Sequence, residues 1–306
     1  MPLSPAQRDR ARGVLLGTAA GDALGAGYEF GPPLPDDFAV TMRGGGGFGW
    51  APGEWTDDTS MAIAIAEAAR HGDLRDDAVQ DAIVRRWLEW AEHAADVGSQ
   101  TRAVFSALDA PTAATARAAA QALHERTGHT AGNGSLMRTA PVALAFLDDE
   151  AALIEAATAI SGLTHHDPEA GEACALWCLA MRHGVLTGTL DLRAGLARLP
   201  RDRAAVWGER LDVAERSRPA DFARNGWVVE ALQGAWSATT ATSTLTEGLA
   251  AAVRGGRDTD TVAAIAGGLL GAVHGAAAVP AEWRALLHGW PGLGADGLIE
   301  LADALA

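Results

Sequence analysis

The chain has 306 residues, 48 % of them apolar and 21 % charged, which allows a sizeable core and excludes disorder as the main state. Acidic residues outnumber basic ones by 39 to 24, for a formal net charge of −15. That balance argues against non-specific binding to nucleic acid and to anionic membrane, both of which need a basic surface. Lys is absent, so all 24 strong cations are Arg; with the abundance of Ala and Gly this fits a GC-rich genome and carries no functional reading.

In chain order, Arg8, Arg10 and Arg12 precede an apolar run over 13–20 that resembles the start of a secretory leader. The run is short and Asp22 interrupts it, so an unprocessed chain is expected. Helical patterning follows at 59–70, 78–95, 113–125, 150–163, 168–185, 203–216, 227–239, 243–254 and 259–277. In the second of these, Val79, Ile83, Trp87, Trp90 and Ala94 recur at the three- and four-residue spacing of one helix face. Gly- and Pro-rich loops are expected at 31–35, 44–53, 128–134 and 291–297. The run 262–279 approaches the length of a bilayer span, but it is mostly Ala and Gly and contains His274, so it reads as a core helix. Within it Gly267, Gly271 and Gly275 share one face, which predicts close approach of another helix or a ligand. Cys174 and Cys178, four apart on one helix, read as reduced core thiols and fit a cytoplasmic location. No segment alternates as a strand does. The expectation is an all-α protein: one compact domain over 1–306, an orthogonal bundle of about a dozen helices, soluble and monomeric, with a metal site in a central cleft.

Two acidic clusters stand out. Trp55-Thr56-Asp57-Asp58-Thr59 places two carboxylates at a helix start, where capping and the helix dipole would suffice to explain them. Two hundred residues on, Gly256-Arg257-Asp258-Thr259-Asp260-Thr261 opens a second helix too apolar to lie at the surface. If the clusters meet, four carboxylates repel one another and force protonation unless divalent cations intervene. Oxygen-only donors, with the hydroxyls of Thr56 and Thr261 added, select hard ions such as Mg²⁺, Ca²⁺ or Mn²⁺.

These clusters, together with the runs 17–25 (and Glu29), Asp96-Val97-Gly98, 132–138 and Thr164-His165, resemble the ADP-ribosylglycohydrolase family. The motifs occur in the family's order across 12–276; 186–220 and the last thirty residues carry none of them. The resemblance implies that Thr56, Asp57, Asp58, Asp258, Asp260 and Thr261 bind two divalent cations, Mg²⁺ or Mn²⁺. It implies that Glu29 lies near the metals and the distal ribose, and Asp96 beside the scissile bond. Glu29, Asp57, Asp96 and Asp258 are thus the catalytic candidates. Arg257 stands where many members have Gly, and Trp227 at a variable aromatic or aliphatic position. Two close cations would orient the ribose hydroxyls and activate a water that attacks the anomeric carbon. Gly132, Asn133, Gly134 and Ser135 can offer backbone N–H groups to a pyrophosphate, and His165 is expected to pack near the sugar–phosphate. Arg102 and Arg138 are candidate charge partners, and 44–47 reads as a flexible lid, a second phosphate contact or a simple mobile loop. Tyr28, with Phe30, Phe48 and Trp50, is a candidate stacking surface. The implied activity is hydrolysis of the N-glycosidic bond between ADP-ribose and an ADP-ribosylated protein, at arginine, releasing ADP-ribose. The alternatives are another linkage (serine, a nucleic-acid end, a small metabolite) and a catalytically silent binding or structural member.

Overall fold

The computed structural model describes residues 2–306. Among them fourteen α-helices form: α1 (Pro5–Gly25), α2 (Asp57–Ala69), α3 (Asp77–Ala91), α4 (Ser99–Phe105), α5 (Ala113–Thr127), α6 (Ala140–Ala145), α7 (Glu150–Gly162), α8 (Pro168–Thr187), α9 (Arg201–Ala214), α10 (Val228–Thr240), α11 (Leu245–Arg254), α12 (Thr259–His274), α13 (Ala281–Leu286) and α14 (Ala295–Leu305). The strands β1 (His288–Gly289) and β2 (Leu293–Gly294) pair antiparallel, with His288 opposite Gly294. The chain is all-α, as its periodicity predicts. No helix among the described residues is long and apolar enough to cross a membrane.

Two helices organise the core. Every residue of α1 from Gly13 to Gly25 is buried, as is every residue of α12 from Thr259 to Ala272. They run antiparallel with their backbones in contact. A Cβ built at Gly17 would lie 2.2 Å from the Gly267 carbonyl oxygen, and one at Gly271 would lie 1.8 Å from that of Gly13. Gly21 and Gly25 meet the backbone of Ala263 and Thr259 in the same way. Gly267 and Gly271 therefore serve helix packing, and α1 supplies the partner; Gly275 does not continue their helical face but ends α12 in left-handed backbone at φ 84°, against the Asp9 side chain. The apolar run at 13–20, leader-like in isolation, is half of this pair. Around it, α8, α10, α11 and α14 complete the core. Cys174 and Cys178 of α8 are free thiols buried in that core.

Because the pair is antiparallel, the end of α1 lies beside the start of α12. The start of α2 is tied to α1 by Asp22 (below). Three chain segments that carry acidic residues thus meet at one end of the central pair.

Candidate functional site

Helix α2 begins without help from its own N-cap residue: the Thr56 side chain makes no capping bond. Asp22, from α1, takes that role. Its Oδ1 accepts from Thr56 N–H at 2.9 Å, and its Oδ2 accepts from Thr59 N–H at 3.0 Å and from the Thr59 hydroxyl at 2.6 Å. Capping from a neighbouring helix satisfies donors that a local carboxylate would otherwise take. Asp57 and Asp58 are released from that duty. The Thr56 hydroxyl lies between them, 3.3 Å from Asp57 Oδ1 and 3.0 Å from Asp58 Oδ2.

Helix α12 starts in a similar way. Asp258 occupies the N-cap position but makes no capping bond. Its Oδ2 accepts from Asn133 Nδ2 at 2.7 Å, and the same nitrogen donates to the Asn225 carbonyl at 2.9 Å. Asn133, expected as a phosphate contact, thus also orients an acidic side chain. The preceding turn needs left-handed backbone at two successive residues, Gly256 at φ 73° and Arg257 at φ 65°. Glycine is the residue that adopts this freely. Arg257 is held there by pairing with the 30–31 segment: its N–H donates to the Gly31 carbonyl at 2.7 Å and its carbonyl accepts from Phe30 N–H at 2.6 Å. That pairing carries Glu29 up to α12.

The acidic side chains converge. Glu29, Asp258 and Asp260 each offer an oxygen, all within 4.8 Å of one another. They line a cavity of about 420 Å³ together with Asp57, Asp96 and Thr261. Burial, reinforced by like charge, pushes these carboxyls above the usual range. Glu29 rises to about 9, through burial and then the charge of Asp258. Asp57 rises to about 7, through burial and then Asp96, and Asp22 to about 6 through burial. Asp58 and Asp260 are raised well above the ordinary value, again by burial first. Asp58 Oδ1 is buried with no hydrogen-bond partner. A set of oxygen donors that repel one another, one of them orphaned, fits hard divalent cations.

Gly132, Asn133, Gly134 and His165 form a glycine-rich part of the cavity wall, next to Asp258 through Asn133. A side chain at Gly132 or Gly134 would meet the His165 ring, at 3.3 and 3.1 Å, so the backbone there lies open over the imidazole. The Arg138 guanidinium donates to Thr164 Oγ1 at 2.6 Å, and Thr164 Oγ1 lies 2.7 Å from His165 Nδ1. Burial, then the charge of Arg138, holds His165 well below its ordinary pKa. It is a neutral imidazole packed against Gly132 and Gly134.

Eleven expected residues line the cavity: Glu29, Phe30, Asp57, Asp96, Gly132, Asn133, Gly134, His165, Asp258, Asp260 and Thr261. Thr56 and Asp58 do not line it; they are buried and joined to Asp57 by the hydrogen bonds above. Others lie elsewhere. Tyr28 is buried, its hydroxyl accepting from Thr41 N–H at 3.0 Å and donating to the Thr41 carbonyl at 3.1 Å, with the Arg43 guanidinium 3.9 Å over its ring. It fastens the 28–43 loop and offers no stacking face. Ser135 is buried, and its Oγ accepts from Cys174 Sγ at 3.5 Å. Arg138 is sealed in the core, 4.0 Å over the Trp87 ring, and Arg102 does not line the cavity. Asp22, Gln100, Thr101 and Gly226 were not singled out from the sequence. Their placement follows from contacts between distant segments, and only the acidic character of Asp22 within an apolar run marked it.

A family model described as ADP-ribosylglycohydrolase matches residues 3–306. ADP-ribosylarginine hydrolase Tri1 of Pseudomonas putida (strain GB-1) is 33 % identical over 298 residues, covering 92 % of this chain and 75 % of that protein. The ADP-ribosyl-[dinitrogen reductase] glycohydrolase of Rhodospirillum rubrum is 30 % identical, with 92 % of each chain covered. A solved structure titled ADP-ribosylglycohydrolase-related protein complex superposes with a TM-score of 0.73 at 29 % identity, covering 99 % of this chain and 98 % of that one. The chain belongs to the ADP-ribosylglycohydrolase family, hydrolases acting on ADP-ribosyl glycosidic bonds. The family match includes 186–220 and the last thirty residues, beyond the span its motifs mark in the sequence.

Proposed function

We propose that this protein hydrolyses the N-glycosidic bond between ADP-ribose and an arginine side chain of a modified protein, with two divalent cations, Mg²⁺ or Mn²⁺, in its site. The observation that carries the reading is the meeting of Glu29, Asp57, Asp258 and Asp260 around one cavity. The names of the similar proteins supply the substrate class. Thr56, Asp57, Asp58, Asp258, Asp260 and Thr261 would hold the cations, which when bound supply Lewis acidity at the ribose and activate water.

The remaining chemistry belongs to the chain. Hydrolysis places a hydroxyl on the anomeric carbon and a proton on the leaving nitrogen. Asp96 is half-buried, raised by burial, and lines the cavity near Asp57; it holds the leaving guanidino group and manages that proton. Glu29 and Asp57 stabilise the positive charge that develops on the sugar. The backbone N–H groups of the glycine wall and the neutral His165 bind the pyrophosphate without adding net charge. A neighbouring cavity of about 530 Å³ shares Gln100, Gly132 and Gly226 with the first and carries Trp227. It receives the adenosine end.

The test is turnover of arginine-ADP-ribosylated protein in Mg²⁺, Mn²⁺ and chelator, by wild type, Asp57→Ala and Asp258→Ala. Loss of activity in both variants with an unchanged helical spectrum is expected. Undiminished turnover in either variant overturns the mechanism. Tight ADP-ribose binding without hydrolysis by wild type would instead identify a silent member of the family.

A further inference from the structure

Asp57 and Asp96 line a second, smaller cavity of about 140 Å³ besides the main one. Four tryptophans line it, Trp50, Trp55, Trp90 and Trp290, with His93 beside them. Trp90 is the buried end of α3. Trp50 closes the glycine loop, its N–H donating to the Gly45 carbonyl at 2.9 Å and its carbonyl accepting from Gly45 N–H at 2.7 Å. The Trp290 carbonyl accepts from Trp55 Nε1 at 3.1 Å. Glu54 adds a third carboxylate to the lining. Trp50 Nε1 is buried with no hydrogen-bond partner. No Arg lines the slot, so its acidic groups face no strong cation within it.

We infer that this slot is the subsite for the leaving side chain and that it takes a guanidinium. The inference rests on reading the main cavity as the ADP-ribose site. The two cavities share Asp57 and Asp96, so a bond cleaved beside those carboxylates has the sugar on one side and the leaving group on the other. The slot has a third of the volume of the main cavity, too little for a nucleotide and suited to a planar head group. Its chemistry is specific. A guanidinium is planar, weakly hydrated and cationic, so it stacks on indole while its N–H groups reach carboxylates. The Trp290 ring already carries one such contact, with the Arg86 guanidinium 4.3 Å from its centroid. A serine-linked leaving group is small and neutral and gains nothing from four tryptophans and three acids. The glycine loop, read from sequence as a lid, is thus the carrier of a specificity residue. Phe48 on the same loop continues the aromatic row towards Phe30 at the rim of the main cavity, with ring centroids 6.0 and 6.1 Å apart.

The experiment compares wild type, Trp50→Ala, Trp50→Phe and Glu54→Gln on matched ADP-ribosyl-arginine and ADP-ribosyl-serine peptides, alongside calorimetric binding of ADP-ribose and of agmatine, a free guanidinium. For Trp50→Ala a loss of about 5- to 30-fold in kcat/KM on the arginine peptide is expected, chiefly through KM, with most activity retained by Trp50→Phe. Glu54→Gln should fall in the same direction. ADP-ribose affinity should not change, since ADP-ribose does not enter the slot. Agmatine should bind wild type, and bind Trp50→Ala about 5- to 30-fold more weakly. Arginine-peptide kinetics within twofold of wild type in both Trp50→Ala and Glu54→Gln would overturn the inference, as would a parallel loss of ADP-ribose affinity. If wild type hydrolyses neither peptide, the proposed function fails, and agmatine binding still decides the slot: no saturable binding to wild type overturns it.

Discussion

Alanine at position 17 is expected to destabilise the protein although alanine is the better helix former. The gain in intrinsic propensity over glycine is about 1 kcal/mol. Against it, the new Cβ would lie 2.2 Å from the Gly267 carbonyl oxygen and 3.2 Å from Gly271 Cα. Both are backbone atoms on a buried helix, so no side chain can rotate away. Ordinary carbon–oxygen contact requires α1 and α12 to separate by about 1 Å, a gap that forfeits a quarter to half of the dispersion energy of each lost contact. Overpacking of this kind costs about 1–3 kcal/mol for extra methyl groups in cores, and rigid backbone on both sides places this one at the upper end. The net expectation is a loss of about 2 kcal/mol. Gly208 is the control. It lies inside α9, where an added Cβ meets only Leu196 Cδ1 at 3.8 Å; the same substitution there should stabilise by up to about 1 kcal/mol. Urea unfolding of both variants and wild type, followed by far-ultraviolet circular dichroism with chelator present, measures the difference. A Gly17→Ala variant as stable as Gly208→Ala would refute the claim that the two backbones touch.

Three further outcomes are expected. Asp22→Ala removes the cap of α2 and should cost about 1–2 kcal/mol in urea unfolding while lowering catalytic activity, because Asp57 and Asp58 lose their anchored helix start; unchanged stability would refute the capping role. In chelator, the folded state binds more protons than the unfolded state through Glu29 (about 9) and Asp57 (about 7), whose ordinary values lie near 4. Stability should therefore fall as pH rises, through both groups from about 5 to 7 and through Glu29 alone from about 7 to 9, by at most about 1.4 kcal/mol per pH unit and group, and Mg²⁺ or Mn²⁺ should flatten the fall; a rise from about 7 to 9 in chelator would contradict it. Arg257→Gly relieves left-handed backbone at φ 65° but gives up guanidinium bonds of 3.3 Å to the Ala220 and Gly255 carbonyls; a change between zero and about 1 kcal/mol of added stability is expected, and a marked loss would show that those bonds outweigh the strain.

Nine of the helices were legible as periodic or apolar runs, with ends within a few residues. α1 was not, because burial on all sides from Gly13 onward erases the three-to-four spacing that marks a helix with one wet face. The short α4, α6 and α13 hold too few turns to show a period, and α14 was obscured by the turn signals of Pro291, Gly292, Gly294 and Gly297. Within the site, paired carboxylates before apolar helices were legible because that combination is costly without a partner ion. Which way a side chain faces was not. Tyr28 and Arg138 have the right chemistry for an adenine and a phosphate, yet both are spent on the interior. The coupling of Asp22 to α2 and of Asn133 to Asp258 spans 34 and 125 residues and exists only after folding.

Cys174 and Cys178 give the molecule an internal clock. Both sulfurs are buried on α8, within 1 % of full exclusion from solvent, and burial pushes both thiols up from their ordinary pKa. A maleimide or disulfide reagent can reach them only when α8 leaves its neighbours, since the folded form shields the sulfur and withholds the reactive thiolate. Labelling rates under native conditions would therefore time the opening of the interior, with no engineered reporter, and would register whether a bound nucleotide slows it.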